Sequence, residues 1–471
     1  RGKYIYTDYE YYWWPKEAGR GWQMLVECLS IGRSISLPAL GTASSSIAYL
    51  TTSAYARLRR QFSVELAQFE GIEEKLAEIA GLNYLVMATR LLTVAAVNAG
   101  KKPSVASAIT KYFNTELPRR VLNTAMDVHG GRAVVVGPRN YLSNFYQGIP
   151  ISVTVEGANI MTRNLLIFGQ GSMACHPFLR DEFYAISKGD ETAFLGLLGQ
   201  HIQYFSRNFA KTVCAAWTKG HLISVPAHPM KRACQRLSRL SYALSFMSDV
   251  ALMLLGGDLK RKERLSARLG DGLSYLYLAM ATLRQVELRG ASDDEQLHAR
   301  WALDFCFHHA TEALLGVCRN FPIRPVGWLM RIVAFPFGRA GAESPSDNLE
   351  HQLEKLMTRN NAYRDDLKKD VYLSGDKTEP VDRMEEAFQS FLEAEPVYRK
   401  IRGANRFKSG TVKEKLAEQV KKGTIKAEEM EILLNVERAR WDAIQVDEFT
   451  FDSMKKKTYA SVAEKYENPI T

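Results

Sequence analysis

The sequence has few cysteines, and those it has lie far apart. Its six cysteines form no CxxC pair, a pattern that does not predict a disulfide framework or a zinc finger, so we expect reduced thiols in a cytoplasmic protein. His308 and His309 lie near Cys306, but residues at these spacings do not all share one face of a helix. We therefore predict no metal site.

Long apolar runs are also missing. No stretch approaches the ~20 consecutive apolar residues of a membrane-spanning helix, and no apolar signal core follows Arg1. Hydrophobic residues make up 46% of the chain and charged residues 24%, which excludes wholesale disorder. The 471 residues are expected to form about three domains or one large helical body.

Acidic residues are absent from one long tract. Residues 201–248 contain seven basic side chains and no acidic one, and they carry most of the net charge of +10. The tract is interpreted either as a solvated helix face or as a surface for an anionic partner, such as a phosphate-bearing cofactor, lipid headgroups or nucleic acid. Aromatic residues are sparse among these basic residues, so stacking platforms for single strands are not evident and we expect no nucleic-acid partner.

Helical periodicity dominates from residue 21 onward. Before it, residues 4–14 form an aromatic, strand-like stretch, and a lone strand is not stable by itself. We therefore expect residues 1–20 to be the remnant of a β domain, in a chain shortened at its N-terminus. The predicted class is all-α, with a helical domain at 21–171 and a helical extension at 172–471.

Within the first helical domain, we predict helices at 47–66, Glu70–Asn98, Ser104–His129 and 156–168, with an extended β-branched run at 149–155. The helix Glu70–Asn98 is expected to be amphipathic and to start with acidic residues, as the helix dipole favours. Pro103 and the pair Gly130-Gly131 mark the ends of the next helix. In the extension, helices are predicted at about 180–212, 232–255, 258–288, 294–318, 346–358, 382–400, 411–421 and 427–443, with linkers at 340–347 and 374–380.

One carboxylate stands where the extended run meets a helix. Apolar side chains flank Glu156, and a carboxylate that loses solvation in such a place is a candidate general base. The alternative is a first-turn acid that satisfies helix N–H groups. From the pattern alone, both interpretations remain open.

Three other patterns could bind a cofactor. Arg59 and Phe62 lie in the predicted helix 47–66, where an arginine can donate two hydrogen bonds to a pyrophosphate or can simply face solvent. The glycines Gly130 and Gly131 allow close backbone approach to a ligand, although helices often end in glycine anyway. A dinucleotide-like G-x-G pattern begins at Gly169, but no βαβ unit surrounds it and we do not predict a Rossmann fold.

Taken together and in their order along the chain, three of these patterns resemble the C-terminal half of the acyl-CoA dehydrogenase family. The helix over 55–62 and the following segment 72–80 are similar to the family's signature helix and its successor. The spacing from Gly130-Gly131 to Val155-Glu156-Gly157 is similar to that of the family's catalytic glutamate. The match is closer still to the large bacterial form that acts in fatty-acid β-oxidation, in the segments 21–29, 32–35, 154–160, 168–171, 259–261 and 267–271.

The resemblance implies an FAD-dependent enzyme that converts a long-chain fatty acyl-CoA to the trans-2-enoyl-CoA. Glu156 would remove the α-proton, and its backbone N–H would polarise the thioester carbonyl. Arg33 would lie by the CoA entrance and, with Gly157, would contact the substrate. Ala158 and Asn159 stand where the family commonly has Thr or Ser, and His129 replaces an aromatic residue.

For the cofactor and the partners, the resemblance implies further contacts. Arg59 and Phe62 would touch the FAD of a neighbouring subunit, and Gly130 and Gly131 would lie along its adenosine part. The expected partners are an electron-transfer flavoprotein and a second copy of the chain in at least a dimer. The protein would be cytoplasmic, with the alternative of peripheral contact at the inner face of the bacterial inner membrane. The rival hypothesis is a catalytically incomplete interaction or oligomerisation module that cannot hold FAD alone.

Overall fold

A computed structural model describes residues 4–7, 10–13, 29, 32–172, 176–376, 378–401 and 410–449. Helices dominate these residues, and the predicted all-α class is confirmed. The helices are α1 (Ser36–Leu58), α2 (Glu70–Asn98), α3 (Ser104–His129), α4 (Ser143–Thr154), α5 (Leu179–Lys188), α6 (Glu191–Trp217), α7 (Lys231–Leu255), α8 (Glu263–Arg289), α9 (Asp293–Asn320), α10 (Arg324–Ala334), α11 (Asp347–Met357), α12 (Ala362–Asp370), α13 (Pro380–Lys400), α14 (Val412–Lys421) and α15 (Ala427–Ala443). Shorter elements are helical turns at Gly131–Val134 and Asn159–Met161, 3-10 turns at Leu66–Gln68 and Gly256–Lys260, and a π-helix at Thr162–Gln170.

Strands occur as two small antiparallel hairpins. At the N-terminus, β1 (Tyr4–Thr7) pairs with β2 (Glu10–Trp13). The aromatic stretch is thus a two-stranded hairpin where the sequence pattern predicts one strand, since its two halves satisfy each other's backbone groups. The second hairpin pairs β3 (Arg60–Gln61) with β4 (Val64–Glu65).

The helix α2 is the centre of the fold. Its bounds are those predicted from sequence, but every residue from 76 to 89 is buried, so the expected amphipathic pattern is wrong. The reason is that α1 and α3 cover one side of α2, while α8, α9 and α11 of the extension cover the others. A helix that is apolar all round belongs in a core.

Within the described part of the chain, two helices are long and apolar enough to cross a membrane, by length and composition alone, although neither is an uninterrupted apolar run. In α2, 67% of the apolar window is buried within the fold. The second segment, Lys231–Lys260, consists of α7 and the 3-10 turn that follows it, and 39% of its apolar window is buried. The burial of α2 is that of a core helix.

The first predicted helix, at 47–66, ends early. The helix α1 stops at Leu58, and Arg59 takes an extended conformation. Phe62 and Ser63 then have φ angles of 51° and 63°, which are the two left-handed positions of a tight hairpin turn. The backbone N–H of Leu66 bonds to the carbonyl of Arg59 and closes the loop. This hairpin turn therefore ends the helix that the periodicity of the segment predicts.

Residues 149–154 are the second correction, because they are helical rather than extended, and only Val155, which caps the helix, has an extended backbone. They form the last turns of α4, and Ile149 and Ser152 are its buried side chains there. The helix packs against α3 and α1. This burial outweighs the preference of β-branched residues for strands, which is weak and depends on context.

In the extension, the predicted helix at 180–212 divides at Gly189, whose φ of 69° ends α5. The helices α10 and α12 were not predicted. The cysteines Cys214, Cys234, Cys306 and Cys318 are free, as expected, while Cys28 and Cys175 lie outside the described residues.

The basic tract lies on α6, α7 and the loop between them. Four of its basic residues are exposed, namely Arg207, Lys211, Lys219 and Lys231. By contrast, Arg236 pairs with Asp304 at 2.6 Å and Arg239 is buried. Only part of the tract is therefore a solvated helix face, and its contact with a membrane stays a prediction.

The two helical regions share one hydrophobic core. Gly81 of α2 faces Trp301 of α9 so closely that a methyl group there would lie 1.9 Å from the indole ring. Tyr84 donates a hydrogen bond to Glu295 across the same interface at 2.6 Å. Arg364 of α12 is fully buried and binds Ser53 of α1 and Glu385 of α13. The extension therefore completes the core of the first region.

Candidate active site

Glu156 occupies a tight turn at the end of α4. Its φ angle is 54° and that of Gly157 is 99°, so a non-glycine residue is held in the left-handed region. Such strain costs of the order of 1 kcal/mol and persists only where the surroundings impose it. The turn directs the side chain inward, where the Oε2 atom is buried and, among the residues that the structure describes, has no hydrogen-bond partner.

Gly32 provides the space for this carboxylate. A Cβ atom at Gly32 would lie 2.0 Å from Oε1 of Glu156 and 2.6 Å from Oε2. Any larger residue at this position would displace the carboxylate. The close approach of a buried acid to bare backbone is a feature that sequence spacing did not indicate, because 124 residues separate the two positions.

Arg33 lies beside the same turn, and its predicted place at the CoA entrance stays a prediction. Its Nε donates a hydrogen bond to the backbone carbonyl of Glu156 at 2.8 Å, and its guanidinium approaches Gly157. The side chain is buried. Burial lowers the pKa of Arg33, and the charge of Glu156 partly offsets that effect. The structure thus brings Arg33, Glu156 and Gly157 together.

Lys111, which sequence reasoning missed, holds the turn from the other side. Its Nζ donates to the carbonyls of Val153 at 3.2 Å and Gly157 at 2.7 Å, and to Oδ1 of Asn159 at 2.6 Å. The residue is fully buried. Burial, reinforced by the charge of Arg33, lowers the pKa of Lys111 to about 8. The signal in the sequence that could have identified Lys111 is the presence of a lysine among the buried residues of α3.

Asn159 completes this support, which explains one departure from the family pattern. While its Oδ1 accepts from Lys111, its Nδ2 donates to Thr115 and Glu116, both at 2.8 Å. All four side chains belong to α3 or to the turn itself. Asn159 therefore fixes the residues that follow Glu156 against α3.

The arrangement suits the removal of a weakly acidic proton. Glu156 supplies a buried carboxylate oxygen without a partner, and Arg33 and Lys111 bind the backbone of the turn without forming an ion pair with the carboxylate. Within the described residues, the backbone N–H of Glu156 also makes no hydrogen bond. A base and an N–H donor on the same residue can act on adjacent atoms of one substrate, and such a donor stabilises developing negative charge.

A second group of predicted site residues lies on the hairpin β3–β4. Phe62 is at its tip with 87% of its surface exposed. Arg59 is half-buried and, within the described part of the chain, its side chain makes no ion pair or hydrogen bond. The base of the hairpin is held by the extension, through Arg60–Glu437 at 2.9 Å and a bond from Arg440 to the carbonyl of Leu58 at 3.0 Å.

Gly130 and Gly131 end α3 beside the end of α1. Tyr55 of α1 stacks on His129 with ring centroids 4.3 Å apart, and Tyr141 donates to Nε2 of His129 at 2.7 Å. Burial and the charge of Arg132 lower the pKa of His129 to about 3, so the ring stays neutral and packs like an aromatic side chain. A Cβ atom at Gly130 or Gly131 would meet nothing within 4 Å, which leaves their backbone accessible.

The predicted site residues therefore form two groups. Lys111, at the catalytic turn, and His129, beside the glycine pair, lie 18 residues apart on α3, which corresponds to about 27 Å along the helix. The first group is built around Glu156, and the second presents an unpaired arginine, an exposed ring and open glycine backbone. The G-x-G pattern at Gly169 belongs to neither, because it continues the π-helix Thr162–Gln170.

Comparison with known proteins identifies related chains for both regions. The profile described as "Acyl-CoA dehydrogenase, C-terminal, bacterial type" matches residues 173–449, and that described as "Acyl-CoA dehydrogenase, C-terminal domain" matches residues 19–168. The chain is 30% identical over 159 residues to the mitochondrial very long-chain specific acyl-CoA dehydrogenase of Mus musculus, which is 33% of this chain and 24% of that protein. It is 27% identical over 160 residues to the 3-(aryl)acrylate reductase of Clostridium sporogenes, covering 32% of this chain and 40% of that protein.

Among solved structures, the fold is similar to an acyl-CoA dehydrogenase from Bacillus anthracis complexed with FAD. The TM-score is 0.56 and the sequence identity 16%, and the match covers 75% of this chain and 57% of that one. At this identity the likeness concerns the fold. The chain spans between about a quarter and three fifths of the length of these relatives.

Proposed function

The chain belongs to the acyl-CoA dehydrogenase family, whose bacterial-type C-terminal profile matches more than half of it, and on that premise we propose that it is the base-bearing part of an FAD-dependent acyl-CoA dehydrogenase. The observation that supports this most directly is the buried, unpartnered Oε2 of Glu156, in a strained turn fixed by Arg33, Lys111 and Asn159.

In this proposal, Glu156 removes the α-proton of the acyl thioester and holds it on its carboxylate. Its backbone N–H donates to the thioester carbonyl and stabilises the enolate-like charge, and electrostatic stabilisation of this kind usually contributes most to the rate of such reactions. Arg33 and Lys111 keep the turn in place, and Gly32 keeps the carboxylate pocket open. The hydride acceptor for the β-carbon would be supplied by FAD when bound.

The second group of residues fits FAD. The unpaired guanidinium of Arg59 suits a pyrophosphate, the exposed ring of Phe62 suits stacking, and Gly130 and Gly131 allow backbone approach. The separation of about 27 Å from the catalytic turn along α3 favours an arrangement in which this group serves the FAD of a neighbouring copy. We therefore propose at least a homodimer.

The finer assignments are part of the same proposal. A long-chain fatty acyl-CoA as substrate, a role in β-oxidation and electron transfer to an electron-transfer flavoprotein follow from the resemblance to the large bacterial form. A cytoplasmic location with contact at the inner face of the inner membrane is also part of this proposal, and the exposed basic residues of α6 and the loop after it support the membrane contact.

The base is tested with Glu156→Gln, assayed by reduction of a dye acceptor with palmitoyl-CoA in the presence of FAD. We expect turnover to fall at least a thousandfold while FAD affinity is unchanged, because the amide keeps the shape of the side chain and cannot take the proton. Glu312→Gln, on the surface of α9, is the control and should retain full activity. Substantial turnover by Glu156→Gln would reject the assignment.

The cofactor group is tested by fluorescence titration with FAD. Arg59→Gln and Phe62→Ala should each weaken binding about tenfold or more, since each removes a direct contact. Arg300→Gln replaces an exposed arginine of α9 and should have no effect. If the unmodified chain binds no FAD, the rival hypothesis of an interaction module that cannot hold FAD alone is supported instead.

A further inference from the structure

The extension contains a large cavity that the proposed dehydrogenase site does not use. Its volume is about 780 Å³, and its walls come from the π-helix Thr162–Gln170, from α5, α6 and α7, and from the 3-10 turn Gly256–Lys260. Glu156 is not among its lining residues. Cavities of about 300–1,000 Å³ are the size range of small-molecule sites.

Apolar side chains make up most of the lining of the cavity. Side chains from four different elements converge on it, among them Phe168, Leu179, Phe183, Leu198, Phe205 and Leu252. Water in such a space would find few partners, so filling it with an apolar group is favourable. Some of these side chains, such as Phe183, are more than half exposed, so the cavity opens to solvent.

Charges at the cavity are of two kinds. Glu182 is the one carboxylate among the described residues that line it, and it is buried and accepts a hydrogen bond from Nδ1 of His201 at 2.9 Å. Lys260 lies at the rim and is exposed. Among the residues that the structure describes, none forms an ion pair with Lys260. The cavity thus combines an apolar interior with an available cation at its opening.

We propose that this cavity binds a single fatty acyl chain, with its anionic head group at Lys260, apart from the site of Glu156. A concave space with walls from several helices and a turn accommodates one chain. The cation at the rim matches the carboxylate of a free fatty acid or the phosphates of a carrier thioester. The proposal goes beyond the dehydrogenase function, and its test measures binding rather than turnover.

The test is isothermal titration calorimetry of the full chain with decanoate, laurate and myristate below their micelle concentrations. Each added methylene should tighten binding by about fourfold, which corresponds to burial of one CH₂ group. Lauroyl-CoA is a separate arm, in which tighter binding than laurate identifies the carrier thioester as the natural form and equal or weaker binding identifies the free acid. An affinity for fatty acids that does not depend on chain length would overturn the proposal.

Two matched variants locate the site. Ile202 lines the cavity and is 58% exposed, whereas Ile186 is 57% exposed and does not line it. Ile202→Glu should weaken laurate binding at least tenfold and Ile186→Glu should leave it unchanged, because only the first places a charge against the chain. Equal effects of the two would indicate surface adsorption and reject the site.

Further variants separate the cavity from its rim and guard against misfolding. Gly257 lines the cavity and a Cβ atom there would meet nothing within 4 Å, so Gly257→Phe adds a ring at the cavity wall and should also abolish binding. Lys260→Glu should weaken laurate several-fold and leave 1-dodecanol unaffected. Binding to anionic vesicles in the absence of any binding of monomeric fatty acid would replace this proposal with a membrane surface.

Discussion

Replacing Lys111 with methionine tests how the catalytic turn is held. Methionine has a similar length but donates no hydrogen bond, so the carbonyls of Val153 and Gly157 and the amide oxygen of Asn159 each lose a donor. An acceptor left unsatisfied in the interior costs about 1–3 kcal/mol. The substitution also removes a charge from a fully buried position, which offsets part of that loss.

The size of the offset follows from the pKa of Lys111. Its fall from 10.5 to about 8 corresponds to roughly 3 kcal/mol at about 1.4 kcal/mol for each pH unit. The three acceptors that lose their donor cost more than this offset returns. We therefore expect the free energy of unfolding to fall by about 2 kcal/mol at pH 7. The turn at Glu156 should loosen most, and exchange of the amides at 153–159 should rise at least tenfold.

The dependence on pH gives a sharper measurement. Between pH 8 and 10.5 the unfolded chain keeps a proton on Lys111 that the folded chain has released, so the contribution of Lys111 to stability rises with pH in this window. Below pH 8 both states are protonated and the contribution is constant. The stability difference between the native chain and Lys111→Met, measured by urea unfolding, should therefore grow by roughly 3 kcal/mol from pH 8 to 10.5.

Lys101→Met, an exposed lysine before α3, is the control and should show neither effect. A difference between the native chain and Lys111→Met that stays flat over this pH range would refute the argument that Lys111 is held in a costly charged state. Unchanged exchange at 153–159 would show that the turn does not depend on Lys111.

Three further predictions concern the core. In His129→Phe, thermal unfolding should be less sensitive to acid, because the native chain loses about 2 kcal/mol from pH 7 to 5 as the unfolded histidine binds a proton that the folded ring, with its pKa of about 3, does not. Arg364→Met should destabilise the chain by about 1–3 kcal/mol in urea, because Ser53 and Glu385 lose a buried donor while Glu385 keeps its ion pair with Lys368. Gly81→Ala should cost about 1–3 kcal/mol or more, because its methyl group overlaps the ring of Trp301.

Each of these three variants has an outcome that would contradict the reasoning. Equal acid sensitivity of His129→Phe and the native chain would mean that His129 is protonated in the fold. Arg364→Met combined with Glu385→Met should recover part of the loss, and no recovery would argue against the pair. Gly81→Ala without any change in stability would show that the interface between α2 and α9 is looser than the contact indicates.

The sequence by itself determined the features that depend on local signals. The bounds of α2 and α3 follow from acidic residues, Pro103 and Gly130 at the helix ends, and such signals act within a few residues of one another. The spacing from Gly130 to Glu156 pointed to the base without any knowledge of its surroundings. The all-α class followed in the same way from a periodicity repeated over most of the chain.

What only the tertiary structure decided depends on contacts between distant positions. That α2 is buried all round depends on helices of the extension, which begin at Glu263 or later while α2 ends at Asn98, and the hairpin after Leu58 is held by Arg440 and Glu437 of α15. The pocket of Glu156 requires Gly32, and its turn requires Lys111. Spacing in the sequence locates the acid, but its burial and its free oxygen arise only when the packed chain brings these partners together.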